Sequence, residues 1–168
     1  HDLANQFRLF RLALSQQENG QADERLAAIR RIEGDEGVHF LCGKALRMLS
    51  RTDRDETKLA EILRLLKDVE ERRPSWWLVH QLQATVYTMQ RHHDLASEKY
   101  QRSFDLGGRD PMQARLAVAI LVSRNRLEEA QRLLDQLESI GDPALDDEVD
   151  RMRVGLDITR GDFEAALK

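Results

Sequence analysis

The sequence predicts an all-α protein built from repeated antiparallel helix pairs, and three observations carry that reading. Apolar residues recur at steps of three and four in segments about 12 to 18 residues long, the period of an amphipathic helix. Helix breakers are scarce, three prolines and nine glycines in 168 residues, and most fall between those segments. The pattern also returns on itself at a shift of 34 residues: placing Ala96 on Ala130 brings Tyr100 onto Leu134, Ser103 onto Leu137 and Leu106 onto Ile140.

Taken in chain order, the periodic segments predict helices near 3–18, 22–33, 37–51, 55–72, 75–90, 94–106, 112–124, 127–140 and 145–160, with a tenth starting near 162. They alternate as pairs. The joints inside pairs read "QENGQAD", "SRTDRDE", "QRHHDLA", "SRNRLEE" and "TRGDFEA", short polar turns that force adjacent helices to lie antiparallel. Between pairs the stop signals are stronger: Gly34, Pro74, Gly107 with Gly108, and Gly141 followed by Pro143. There a glycine takes positive φ or a proline ends the run. Asp94, Glu128 and Glu164 stand at the start of second helices, where a carboxylate caps or charge-complements free N–H groups.

Composition sets the outer limits. With 41% hydrophobic and 33% charged residues the chain has neither the bias of a disordered protein nor a long apolar run, and 168 residues is one ordinary domain by length. Lys and Arg total 26 against 30 Asp and Glu, a net charge of −4 interspersed along the chain, which argues against nucleic acid as partner. No stretch reaches the length of a membrane span or of a signal-peptide core. The single cysteine, Cys42, cannot form an intrachain disulfide and lies in the apolar run "VHFLCGKAL", where it reads as a small buried hydrophobe. The chain starts at His1 and ends at "GDFEAALK" inside what reads as a new helix. The expectation is therefore a piece of a longer protein, with any targeting signal outside it and the compartment left open.

The anchors of successive second helices are Ala22, Ile62, Ala96, Ala130 and Ala166, separated by 40, 34, 34 and 36 residues. A 34-residue helix–turn–helix period is the signature of a tetratricopeptide array. The stretch "RPSWWLVHQLQATVYTMQRHHDLASEKYQRSFDLGGRDP" is similar to one tetratricopeptide repeat (TPR) and "PMQARLAVAILVSRNRLEEAQRLLDQLESIGDP" to the next. Ala84 and Tyr87 resemble the family's small and aromatic first-helix positions, Ala96 and Ala130 its crossing residue, Leu134 and Leu137 the packing positions that follow, and Pro111 its terminal proline, delayed by the insertion around "GGR". "VGLDITRGDFEAAL" resembles the start of another copy. Residues 1–35 fit more loosely, since the turn "ENGQAD" admits two registers three residues apart, and residues 50–58 carry extra length. The resemblance implies a right-handed α-solenoid of about four and a half repeats, at approximately 2–35, 36–74, 75–110, 111–143 and an incomplete 144–168.

Candidate chemistry is thin. His92, His93 and Asp94 are metal-ligand types, but they are consecutive in an intra-pair turn, and a closed zinc site needs about four ligands, which neither Cys42 nor His80 completes. Trp76 and Trp77 point about 100° apart on a helix. One continues towards Val79 and Val86, the other towards His80, Ala84 and Tyr87. Both a core reading and a binding hot spot are open for them. There is no glycine-rich phosphate loop, HExxH pair or nucleophile elbow, and charge runs such as "EERR" read as solvated surface. No catalytic residue, cofactor or metal is expected.

Stacked helix pairs form a solenoid with a long concave side. The resemblance implies that first helices line it, which points to Phe40, Lys44, Arg47, Gln81, Thr85, Thr88, Arg115, Ala119 and Val122. With Lys44, Arg47 and Arg115 among them, this lining suits a peptide or protein segment carrying acidic residues. The Lys and Asn set that some TPR proteins use for chaperone tails is not recognisable, since the only asparagines are Asn5, Asn19 and Asn125. The expected function is thus a non-enzymatic protein-interaction scaffold. An architectural spacer that self-associates is the alternative, and a metal-dependent hydrolase the least favoured.

Overall fold

A computed structural model of the chain describes residues 2–161, apart from the side chain of Ala144. Among the described residues there are nine helices and no strand: α1 (Leu3–Ser15), α2 (Asn19–Glu33), α3 (Val38–Leu49), α4 (Glu56–Arg72), α5 (Trp77–Met89), α6 (His93–Asp105), α7 (Pro111–Ser123), α8 (Leu127–Glu138) and α9 (Pro143–Arg160). Every boundary lies within three residues of the sequence expectation. The expected tenth helix, with Glu164 and the anchor Ala166, lies outside the described residues.

Several helices start where the sequence supplies an acceptor or a proline. Asp2, Asp55 and Asp110 cap α1, α4 and α7, accepting backbone N–H groups at 3.0 to 3.3 Å. Pro111 and Pro143 open α7 and α9, positions where the missing N–H of proline is no loss.

Three of the four described intra-pair turns share a backbone device that residue identity hides. Gln17, Arg91 and Asn125 all adopt left-handed φ, at 59°, 61° and 57°. The amide that follows each of them bonds back to a carbonyl five residues earlier: Glu18 to Ala13, His92 to Tyr87 and Arg126 to Leu121. This is the Schellman closure of a helix C-terminus. Its recurrence settles the loose first repeat, because left-handed Gln17 ends α1 early and lets α2 start at Asn19. Between pairs the same φ region is taken by Gly34, Gly107 and Gly141.

Odd helices pack on the even helices that follow, and neighbouring pairs stack. Ala22, Ile62, Ala96 and Ala130 are fully buried, as crossing points between helices must be. Two apolar cores result. One gathers Phe10, Ile29, Leu59, Leu66 and Val79, the other Tyr100, Ala114, Leu134, Leu137 and Leu145. They meet at α5, whose Leu78, Val79, Leu82 and Val86 belong to the first core and Ala84 to the second. A central first helix is covered on both sides, so α5 lacks the polar stripe of a surface helix.

Candidate interaction surfaces

The nine residues expected to line one groove fall into two sets. On α5, Gln81 Nε2 donates to Asp110 Oδ2 at 3.4 Å and Thr85 Oγ1 lies 3.5 Å from Gln113 Oε1, so both face the start of α7. Thr88 Oγ1 donates to the Ala84 carbonyl at 2.8 Å and lies 3.4 Å from the Tyr100 hydroxyl. On α7, Arg115 and Ala119 are exposed and Val122 is half-buried. The Arg115 side chain is 58% exposed and reaches Glu148 of α9 only at 3.9 Å. Each α5 residue stands 34 positions before its α7 counterpart, but Gln81 is buried where Arg115 is exposed, and Thr85 and Thr88 are half-buried.

The α3 set lies elsewhere. Arg30 of α2 covers the Phe40 ring at 5.7 Å, Lys44 pairs with Glu61 of α4 at 3.8 Å, and buried Arg47 donates to Asp23 and Asn19 of α2 at 2.6 to 3.0 Å. Phe40, Lys44 and Arg47 therefore face second helices, and Arg47 is already neutralised. Arg47 in turn holds the Asp23 carboxyl below its ordinary range, chiefly through its hydrogen bond. The extra length at 50–58 and the ambiguous first turn hide this rotation from the sequence, since a one-residue error turns a helix face by about 100°.

First helices at the N-terminal end are instead tied together by an aromatic cluster. Phe7 of α1, His39 of α3 and Trp76, the residue preceding α5, form a triangle with ring centroids 5.1 to 5.5 Å apart. Arg73 stacks on Trp76 at 4.7 Å, and Arg11 of α1 covers the Trp77 ring at 5.4 Å. Both tryptophans are half-buried and spent on contacts within the chain. In the same N-terminal core Cys42 is fully buried, and burial pushes its thiol up to about 12.

The histidine turn is held by its backbone and by the next repeat. Arg91 is the left-handed residue, His92 precedes α6 without a side-chain cap, and Asp94 sits in the first turn of α6. Asp94 complements the helix end by charge and also meets Arg124 at 3.8 Å and Arg126 at 3.5 Å. Arg126 further binds Ser97 Oγ at 2.9 Å and grips Glu129 with two bonds, which raises its own affinity for the proton. Among the described residues no group of three His, Cys, Asp or Glu side chains is placed to hold a metal ion.

Sequence reading missed the polar node behind α5. Glu70 of α4 accepts from Gln83 Nε2 at 2.7 Å and Lys99 Nζ at 2.8 Å, while His80 Nδ1 stands 3.6 Å away and its Nε2 meets the Pro74 carbonyl at 2.9 Å. Burial pushes the Glu70 carboxyl up, but the bonds from Gln83 and Lys99 outweigh it and hold it below its ordinary value. The node flanks two open clefts on the second-helix side, one of about 810 Å³ bounded by α6 and α8 and one of about 510 Å³ between α4 and α6. A charged residue beside apolar ones on α4 was the only signal in the sequence, and nothing there pairs Glu70 with residues 13 and 29 positions away.

No protein-family model matches the chain, and no curated protein matches it by sequence. Solved structures do match over nearly its whole length. A thermophilic TPR protein from Thermus thermophilus covers 95% of this chain and 81% of its own at 18% identity, with a TM-score of 0.65. PilF of Pseudomonas aeruginosa covers 99% and 72% at 15% identity, with a TM-score of 0.67. A tetratricopeptide repeat protein from Parabacteroides merdae covers 98% and 62% at 13% identity, with a TM-score of 0.62. At such identities the likeness is one of fold, and together with the recurrent helix pairs, buried crossing residues and repeated turn closure it makes this chain a tetratricopeptide-type α-solenoid.

Proposed function

We propose that the chain is a non-enzymatic interaction scaffold that holds a peptide or protein segment along the first-helix side of α5 and α7. The observation that carries this reading is the row Arg115, Ala119 and Val122 on α7. A small exposed residue there leaves room for a ligand, and Arg115 is an exposed cation with only one distant carboxylate neighbour. Thr85, which faces Gln113 of α7, extends the row onto α5. Lys44 and Arg47 are left out of it, because they turn towards Glu61 of α4 and Asp23 of α2. An acidic residue in the bound segment would pair with Arg115.

Affinity capture with the wild-type chain and with R115E and A119R as matched baits tests the reading. Partners held by the wild type and lost by both variants support it. Identical recovery by all three baits contradicts it.

The second reading, a spacer that self-associates, draws on Val154 and Ile158, which lie one turn apart on α9 and are 42% and 51% exposed. Sedimentation across a concentration series decides it: a shift towards dimers that V154D abolishes favours self-association, and a constant monomer rejects it.

A further inference from the structure

We propose that the cleft between α4 and α6, on the second-helix side of the array, docks an acidic segment of a partner protein. The inference rests on the scaffold reading but not on the first-helix row. The cleft has a volume of about 510 Å³ and is walled by Leu63, Arg64 and Lys67 of α4 and Lys99 of α6, with Gln83 and Tyr87 of α5 beneath. Three cations stand against one carboxylate, Glu70, in a chain whose net charge is −4. With Lys99 paired to Glu70, Arg64 and Lys67 leave the lining itself net positive.

Two of the three cations in the lining are unspent. Arg47, Arg126, Arg153 and Arg160 are all ion-paired, and so is Lys44. Arg64 and Lys67 are exposed and have no ion pair or hydrogen bond among the described residues, whereas Lys99 is held in place by Glu70 at 2.8 Å. They lie one helical turn apart, a spacing of about 5 to 6 Å that two neighbouring carboxylates of one segment can match. The Tyr87 hydroxyl makes no hydrogen bond among the described residues and offers a donor from the floor.

Magnitudes select a segment over a free anion. One solvent-exposed ion pair contributes too little on its own to hold a lone carboxylate or phosphate. Several such pairs on one chain, together with an apolar side chain against Leu63 and the Tyr87 ring, add to useful affinity.

The probe is a fluorescent Glu-rich peptide with one central leucine, compared with its Glu→Gln counterpart. It is titrated into the intact ¹⁵N-labelled chain, with R64A/K67A as the cleft variant and R132A as a single-charge control on α8. All three proteins are first checked for an unchanged helical spectrum. The expected result is that the Glu peptide binds and shifts the amides of residues 63–67, 87 and 99. Binding weakens with salt, falls at least about tenfold in R64A/K67A and stays level in R132A. No binding of the Glu peptide, equal binding of the Gln peptide, or unchanged binding by R64A/K67A overturns the proposal. Displacement of the peptide by inorganic phosphate at matched ionic strength assigns a free-anion site and overturns it too. If R115E loses the peptide while R64A/K67A keeps it, the first-helix reading stands and this one falls.

Discussion

Glu33, the last residue of α2, and His39, the second of α3, are joined twice: the ring Nδ1 lies 2.7 Å from one carboxylate oxygen and the backbone N–H donates to the other at 2.9 Å. The amide of Phe40 reaches that second oxygen at 3.2 Å. Glu33 thus caps α3 from the preceding helix, a role that Gly37, in the capping position, has no side chain to fill. The ring roles follow from the partners. A guanidinium has only donors, so His39 Nε2 accepts from Arg73 at 3.1 Å and Nδ1 donates to Glu33. One carboxylate therefore sets both the start of α3 and the ring that ties Phe7 to Trp76.

Glu33→Ala should cost about 1 to 2 kcal/mol, the range for losing a helix cap together with a part-buried hydrogen bond. Glu33→Gln keeps one acceptor and should lose less. Urea unfolding of both variants checks the order, and equal stability of E33A and wild type would remove Glu33 as the cap.

Gly37 sits against the same residue. A Cβ added there would overlap the Cβ and carboxylate of Glu33, whereas one added at Gly155, in α9, meets nothing within 4 Å. Gly37→Ala should destabilise by roughly 1 to 3 kcal/mol through overpacking. Gly155→Ala should stabilise by about 0.5 to 1 kcal/mol through helix propensity and a less flexible unfolded chain. Opposite shifts in Tm are the expected readout.

The turn closures predict a pair of gains. Arg91 and Asn125 hold left-handed φ without being glycine. Asparagine tolerates that region better than arginine. Arg91→Gly should therefore raise stability by up to about 1 kcal/mol, and Asn125→Gly by less. Chemical denaturation measures both.

Alkaline behaviour follows from two buried acids. Burial raises the Cys42 thiol to about 12 and raises the Tyr100 phenol as well. Above the unfolded thiol value of 9.0 the unfolded chain releases protons that the folded chain keeps, so stability falls as pH rises through that window. Cys42→Ala and Tyr100→Phe should each flatten the loss. The folded protein should also leave a thiol reagent unreacted at about pH 8, and reaction should appear only on unfolding.

Helix existence was legible from period alone, and so were the crossing residues Ala22, Ile62, Ala96 and Ala130, because burial at a fixed spacing is what the period encodes. The Asp94 contacts with Arg124 and Arg126 were not, because they join turns of successive repeats through flexible side chains. Left-handed Gln17, Arg91 and Asn125 share a backbone conformation but no residue type, so no local signal marks them. The rotation of α3 that turns Phe40, Lys44 and Arg47 towards α2 and α4 depends on the irregular lengths on either side of it. Where spacing stays at 34, from α5 to α7, each α5 residue keeps a counterpart on α7, although Gln81 is buried where Arg115 is exposed.

Hydrogen exchange of the chain, alone and saturated with the partner segment recovered by the wild-type bait, tests the scaffold account most directly. The account predicts that amides of residues 81–88 and 113–122 gain protection on binding and that R115E loses that gain. Protection confined to other helices, or no change in either, would contradict it.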